Sequence, residues 1–304
     1  MNIEFKSGFV AIVGRPNTGK STLINALVGE KIAIISDKPQ TTRSLIRGMV
    51  NKSDYQILIV DTPGIHKPKT ALGSRLNVLS KETISEVDVI AVCFPADQKI
   101  GPGDKFIVEE IKKSKKPKIA LLTKSDLVSK NEILERLHEI NTELAVLWQE
   151  IMPISSVSLE NLKVLEEKIV ENLPVSPPLY PTEITTDQTL ETRISELIRE
   201  ASLKDLKEEL PHSVAVTIDE MLEAESRRGK ILKIYASLFV ERDSQKSILI
   251  GSKGARLKEI GSTARAEIEK LIDQPVFLDL RIKVASEWQS DPKLLSKMGF
   301  DQYN

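Results

Sequence analysis

Gly14-Arg15-Pro16-Asn17-Thr18-Gly19-Lys20-Ser21 decides the fold of this chain. The eight residues satisfy the pattern G-x-x-x-x-G-K-[ST] in full, and their setting agrees. An apolar run over 9–13 reads as a strand ahead of them, and 21–28 reads as a helix behind them. The glycines allow a loop whose backbone N–H groups point inward around phosphate oxygens, aided by the N-terminus of the helix. Lys20 is expected to reach the β- and γ-phosphates and the Ser21 hydroxyl to bind Mg²⁺, with Thr22 continuing the same loop.

Two further segments extend this phosphate site. Asp61-Thr62-Pro63-Gly64 ends an apolar strand over 56–60. An acid at that strand end can hold Mg²⁺ through water, and the Gly64 N–H can bond the γ-phosphate. D-x-x-G is weak alone and gains force from standing about forty residues after the phosphate loop. Between the two lies Pro39-Gln40-Thr41-Thr42-Arg43, where Thr42, or failing it Thr41, is expected to give a hydroxyl to the metal. The residue after Gly64 is Ile65, which cannot orient a water as a glutamine would, so slow intrinsic hydrolysis is expected. His66 is either an aid to catalysis or a packing residue. Asn17 either helps to ligate a K⁺ bridging the phosphates or only braces the loop. The catalytic set expected is Lys20, Thr42, Gly64 and Asn17.

Thr123-Lys124-Ser125-Asp126 follows an apolar strand over 118–122 and reads as the base site. A carboxylate at Asp126 can accept hydrogen bonds from both the ring N–H and the exocyclic amine of guanine. Adenine offers no such pair and would leave the carboxylate desolvated and unsatisfied. The stem of Lys124 would pack beside the base. Ser155-Ser156-Val157 is placed for backbone contact with the guanine oxygen. The expected ligands are GTP and GDP.

These residues resemble the translation-factor-like GTPases. The phosphate loop with Thr22-Leu23, Pro39-Gln40-Thr41-Thr42-Arg43 and Asp61-Thr62-Pro63-Gly64-Ile65-His66-Lys67-Pro68 together look like the Era family. The resemblance implies GTP hydrolysis coupled to maturation of the small ribosomal subunit in bacteria. One residue departs from it: the family usually has Asn where this chain has Thr123. Guanine selectivity should survive the change, with weaker tethering between the loops.

At 304 residues, length suggests about two domains. Before residue 174, strands over 9–13, 56–60, 87–94, 118–122 and 151–154 alternate with helical segments. That alternation implies an α/β fold, a mostly parallel sheet with helices on both faces. Pro174-Val175-Ser176-Pro177-Pro178-Leu179-Tyr180-Pro181 places four prolines in eight residues and reads as a stiff, extended linker. The expected division is a GTPase domain over 1–173, a linker over 174–186 and a second domain over 187–304.

In that second domain a helix is expected over 190–210, strands over 212–220 and 230–241, and a short helix over 245–250. The turn Gly251-Ser252-Lys253-Gly254 follows, then a longer helix to Ile272 and a strand over 276–284 with one buried face. The order αββααβ describes a small α+β domain. Its glycine-flanked loop would let a helix N-terminus and bare N–H groups approach a nucleic-acid backbone, beside an apolar groove for unstacked bases. Between residues 245 and 285 there are eight Lys or Arg against five Asp or Glu, a mild local excess suited to single-stranded RNA. Arg256, next to the loop, joins Gly251, Ser252, Lys253 and Gly254 as a candidate RNA contact.

The region resembles the type II KH domain that ends Era proteins. That likeness implies the 3′ end of small-subunit rRNA as the target, RNA and not DNA, and a weak peripheral association with the inner face of the cell membrane. The residues themselves support the membrane only weakly: no lipidation motif and no strongly basic amphipathic helix is present.

The remaining composition sets limits. A formal net charge of −1 argues against coating nucleic acid by bulk charge. Cys93, the single cysteine, sits in an apolar run and reads as a buried strand residue, with no disulfide to form. No stretch reaches the ~20 apolar residues of a membrane span, and the N-terminus has no signal pattern, so a cytoplasmic protein is expected. Two other functional classes remain open at this level. One is a nucleotide-gated RNA-binding switch whose hydrolysis is incidental. The other, an ATP-driven RNA enzyme, loses its support once Asp126 is read as a guanine ligand.

Overall fold

Unbroken apolar runs such as 10–13 and 89–94 are best satisfied in strands buried on both faces, and the computed structural model places them so. It describes residues 4–35, 46–62, 71–204, 206, 213–226 and 229–298. The expectations on Thr41, Thr42, Pro63, Gly64, Ile65 and His66 fall outside these residues. The helix expected over 190–210 ends at Leu203, because Lys204 leaves the helical backbone at ψ 133°. The main division of the chain lies between Asp187 and Gln188.

The first unit holds six strands among the described residues: β1 (Lys6–Gly14), β2 (Ile46–Asn51), β3 (Tyr55–Asp61), β4 (Val89–Pro95), β5 (Lys118–Thr123) and β6 (Glu150–Pro153). They form one sheet in the order β2-β3-β1-β4-β5-β6, in which only β2 runs antiparallel. Helices α1 (Lys20–Val28), α2 (Ala71–Glu86), α3 (Pro102–Lys112), α4 (Lys130–Glu143) and α5 (Leu162–Glu171) connect and flank them. Successive residues of β1 feed different cores: Val10 and Ile12 pack into one with Leu23, Leu165 and Ile169, while Ala11 and Val13 join Ile107, Ile111 and Ile140. β2 is a strand the sequence did not announce, because Ile46-Arg47-Gly48-Met49-Val50-Asn51 has neither clean alternation nor a long apolar run.

The proline-rich segment is extended as composition requires, but it is not free. Ser7 donates through Oγ to the Pro177 carbonyl at 2.6 Å, and Ser176 N–H to the Phe5 carbonyl. Gln56, fully buried, accepts from the N–H groups of Leu179 and Tyr180 and donates to the Tyr180 carbonyl and to Asn51 Oδ1. Farther on, Met49 N–H reaches the Thr185 carbonyl, and Arg47 pairs with Asp187 at 2.8 Å. Residues 174–187 are thus a strap across β1, β3 and β2, and prolines suit it because their missing N–H groups would have no ladder to join.

The second unit contains α6 (Leu190–Leu203), β7 (Ala215–Ser226), β8 (Gly229–Val240), α7 (Asp243–Ile250), α8 (Ala255–Ile272), β9 (Val276–Val284) and a short α9 (Pro292–Lys297). Thr189 caps α6 by accepting from Thr192 N–H. β7 and β8 are antiparallel, and β8 and β9 parallel. β7 runs past the expected end at Glu220. The acidic residues there sit on an exposed ribbon where Glu225 faces Lys230 across the pair. β9 matches its expected bounds but not its expected buried face: Leu278, Leu280 and Ile282 are half-buried and Val284 is exposed. β9 is an edge strand, and Leu278 and Leu280 line a groove against α8.

Candidate functional site

The loop after β1 lies where the strand order reverses, since β3 and β4 lie on either side of β1. In open α/β sheets ligands bind at such a point, outside the carboxyl ends of the strands. Gly19 takes a left-handed conformation at the start of α1, and Asn17, also left-handed at φ 64°, forms the exposed turn of the loop. Asparagine is one of the few side chains that tolerate that backbone. Lys20 is buried and folds back, donating to the carbonyls of Gly14 at 3.1 Å and Arg15 at 2.7 Å. Burial pushes its pKa down, offset in part by the Asp61 carboxylate. A phosphate would give this ammonium the counter-charge that burial denies it.

Ser21 Oγ donates to Asp61 Oδ2 at 3.4 Å. Two hard oxygen ligands at that separation fit Mg²⁺, which keeps several waters and takes few protein ligands. Thr62, buried, is fixed by a 2.8 Å bond from its hydroxyl to the Ile12 carbonyl. Cys93 is buried in β4, and burial pushes its thiol up to about 12. It remains a protonated core residue, as its setting in the sequence suggests.

The base loop is joined to the phosphate loop through Thr123, whose hydroxyl donates to the Thr18 carbonyl at 2.6 Å with the Phe94 carbonyl also within 3.2 Å. Threonine thus ties the two loops through a short, buried bond. Lys124, left-handed at φ 58°, has its ammonium 3.4 Å from Asp97. Ser125 N–H donates to the Ile154 carbonyl, and Asp126 accepts from the Ser155 hydroxyl at 2.6 Å. That bond aims the carboxylate and was not legible from sequence, because it joins residues 29 apart. The Ser155 N–H is itself bonded to the Glu160 carbonyl, and the Val157 N–H to Ser155 Oγ. Of the three expected backbone contacts, the N–H of Ser156 is the one left without a hydrogen-bond partner among the described residues.

In the second unit Gly251, Ser252, Lys253 and Gly254 join α7 to α8. Gly251 has φ 70°, and a Cβ there would lie 2.6 Å from that of Arg256, so only glycine fits. Lys253 is left-handed and exposed. Arg256 instead turns inward, donating to the Lys204 carbonyl and pairing with Glu259. Beside the loop runs the α8–β9 groove, about 480 Å³, walled by Leu257, Gly261, Phe277, Leu278 and Leu280 with Lys258 and Arg265 on its rim. Lys258 and Arg265 count among the basic excess read between residues 245 and 285, whereas Phe277 was not singled out by sequence.

Comparison with known proteins places these two sites in context. The family model described as "50S ribosome-binding GTPase" matches residues 9–124, and the model described as "KH domain" matches 209–289. The chain is 53% identical over 301 residues to GTPase Era of Nocardioides sp., covering 97% of this chain and 96% of that protein. It is 52% identical over 299 residues to GTPase Era of Mycolicibacterium smegmatis, covering 98% and 99%. A crystal structure of Aquifex aeolicus Era bound to GDP and AlF4⁻ superposes with a TM-score of 0.91 at 38% identity, covering 97% and 99%. A structure of Era with MgGDPNP and nucleotides 1506–1542 of 16S ribosomal RNA agrees to the same degree.

Proposed function

The chain belongs to the Era family of GTPases, and from that footing we propose how its residues bind and hydrolyse GTP and what its second unit holds. The loop from Gly14 to Thr22 wraps the phosphates. Lys20 leaves its two carbonyls for phosphate oxygens, and Ser21, Asp61 and Thr42 hold the metal. Mg²⁺ at that position would neutralise charge developing on the phosphoryl oxygens. Thr62, Pro63, Gly64 and Ile65 close over the γ-phosphate, with the Gly64 N–H as donor. Thr123, Lys124, Ser125 and Asp126 select guanine, Ser155 fixes the Asp126 carboxylate, and the Ser156 N–H meets the guanine oxygen. The Asn17 side-chain carbonyl would help to hold a K⁺ at the phosphates, which would supply positive charge in place of the missing glutamine.

The observation that carries this reading is a pair of bonds: Thr123 to Thr18 ties the base loop to the phosphate loop, and Ser155 to Asp126 ties the two base segments to each other. Asp126→Asn tests it: GTP and GDP affinity should fall by at least about tenfold, with xanthine nucleotides gaining. Unchanged GTP affinity would place the base elsewhere.

Residues 187–304 form the RNA-binding domain and 174–186 the connection to the GTPase domain at 1–173. The Era–rRNA complex and the groove support single-stranded rRNA at the 3′ end of the small-subunit RNA as the ligand. The N–H groups of Ser252 and Lys253 meet its backbone, those of Gly251 and Gly254 being taken by the Ser247 and Gly251 carbonyls, and bases enter between α8 and β9. The protein acts in small-subunit assembly in the cytoplasm, with any membrane contact weak and peripheral. No helix among the described residues is long and apolar enough to cross a membrane.

A further inference from the structure

Arg15 is the second residue of the phosphate loop, and the pattern that identifies that loop leaves its position unspecified. In the structure it is held more firmly than any role in wrapping phosphate requires. Its Nε donates to Asp104 Oδ1 at 2.7 Å, and its Nη2 to Gln98 Oε1 at 3.1 Å. Asp104 lies in the first turn of α3 and is only 2% exposed, while the Arg15 side chain is 24% exposed. The other Asp104 oxygen accepts from the Gly101 N–H at 2.8 Å, so the carboxylate is fixed from both sides. Gly103 completes the arrangement. A Cβ on it would lie 2.6 Å from Arg15 Cδ and 3.2 Å from Cγ, so the arginine stem lies directly against the helix backbone.

What Arg15 holds in turn is the loop's working lysine. The Arg15 carbonyl accepts from Lys20 Nζ at 2.7 Å and from the Thr18 hydroxyl at 3.0 Å. The segment that anchors Arg15 also reaches the base loop, through Ala96 N–H to the Thr123 carbonyl at 2.8 Å and Asp97 to Lys124 at 3.4 Å. Two loops distant in sequence are thereby referenced to one short stretch after β4.

We propose that Asp104, acting through Arg15 and with Gly103 left bare to admit it, is a positioning residue that presets the phosphate loop for nucleotide. The inference rests on the assignment of this loop as the GTP site and adds to it a residue that touches no ligand. A loop held by a buried charge-assisted bond does not have to be ordered when phosphate arrives. Since Lys20 meets the β-phosphate, which GDP and GTP share, the effect falls on the affinity for both.

Gly103→Ala separates positioning from mere structure. Gly103 is the second residue of α3, where alanine is the better helix former, so the substitution by itself favours the helix. It adds a methyl where the Arg15 stem lies, and the flexible arginine is the group that must yield. The full-length protein, Gly103→Ala, Asp104→Asn and Arg15→Gln are titrated with Mg²⁺-GDP and a non-hydrolysable GTP analogue by calorimetry, alongside thermal unfolding without nucleotide. The expected result is a roughly tenfold weaker Kd for both nucleotides in each variant, with no loss of thermal stability in Gly103→Ala. Arg15→Gln combined with Asp104→Asn should cost no more than either alone, the mark of one shared interaction. Wild-type affinity in Gly103→Ala and Asp104→Asn would overturn the proposal. Failure of the unaltered protein to bind GDP would instead overturn the nucleotide site itself.

Discussion

Replacing Thr123 by valine tests the junction on which the nucleotide site depends. Valine keeps the shape and the β-branched character wanted at the end of β5 and removes only the hydroxyl. That hydroxyl donates to the Thr18 carbonyl at 2.6 Å, and Thr123 and Thr18 are 2% and 1% exposed. A net bond of this kind is worth about 0.5–1.5 kcal/mol, and stranding the buried carbonyl costs about 1–3 kcal/mol. Roughly 2 kcal/mol is therefore at stake, and it divides between two observables. If the loop keeps its place without the tether, the loss appears as stability, about 4–8 °C in the unfolding of the GTPase unit at roughly 2–4 °C per kcal/mol. If the loop slackens, the ordering is deferred to binding, and Kd for GDP rises by as much as about thirtyfold, since 1.4 kcal/mol is tenfold. Calorimetric titration with GDP and Mg²⁺, together with thermal unfolding of the nucleotide-free protein, measures both parts. Thr123→Ser, which keeps the donor, should lie close to the unaltered protein in each. Kd within about twofold and Tm within about 1 °C for the valine variant would show that the bond does not couple the loops.

Exchanging Na⁺ for K⁺ at constant ionic strength should raise GTP hydrolysis several-fold. Asn17→Gly, which accepts the left-handed backbone at φ 64° but has no side-chain carbonyl, should bind nucleotide and lose that response, and equal rates in both salts would remove K⁺ from the account. Replacing Ser252 and Lys253 together by aspartate puts negative charge where an RNA phosphate should sit. Binding of a single-stranded 3′ rRNA fragment, followed by fluorescence anisotropy, should collapse while GDP affinity holds, and retained RNA affinity would make the loop a plain turn. Glu110 accepts from Lys113 at 2.8 Å and pairs with Lys81 at 3.0 Å, and these hydrogen bonds, the first of them foremost, hold its carboxyl below the ordinary value. A depressed folded pKa stabilises above the unfolded value, about 4.3, and the gain is lost as pH falls through the folded one. Because both lysines are half exposed or more, Glu110→Gln should cost about 0.5 kcal/mol at pH 7 and progressively less as pH falls below the unfolded value, by urea unfolding.

What could be read from the chain, and what could not, follows from the range of the interactions concerned. The phosphate and base loops were legible because each packs its chemistry into a few consecutive residues: a glycine that must turn, a lysine that must reach, a carboxylate after a strand. The apolar strands were legible because burial on both faces leaves no room for polar residues. The bonds that make those loops one site were not, because Thr123 meets Thr18 from 105 residues away and Arg15 meets Asp104 from 89. Neither pairing leaves a local trace: a threonine after a strand and an aspartate in a first helical turn are each common for reasons of their own, the latter as a partner of the helix N-terminus. The strap of residues 174–187 shows the same limit from the other side. Proline content correctly ruled out helix and central strand, but a stiff segment free in solvent and a stiff segment laid across a sheet have the same composition. The difference lay in Gln56, an amide near the start of the apolar strand β3. There it would be unsatisfied without partners; one of its four hydrogen bonds goes to Asn51 at the end of β2, and the other three, to Leu179 and Tyr180, are what the strap supplies. A polar residue at a position that the strand pattern buries is the one signal in the sequence that a backbone from elsewhere must come to meet it.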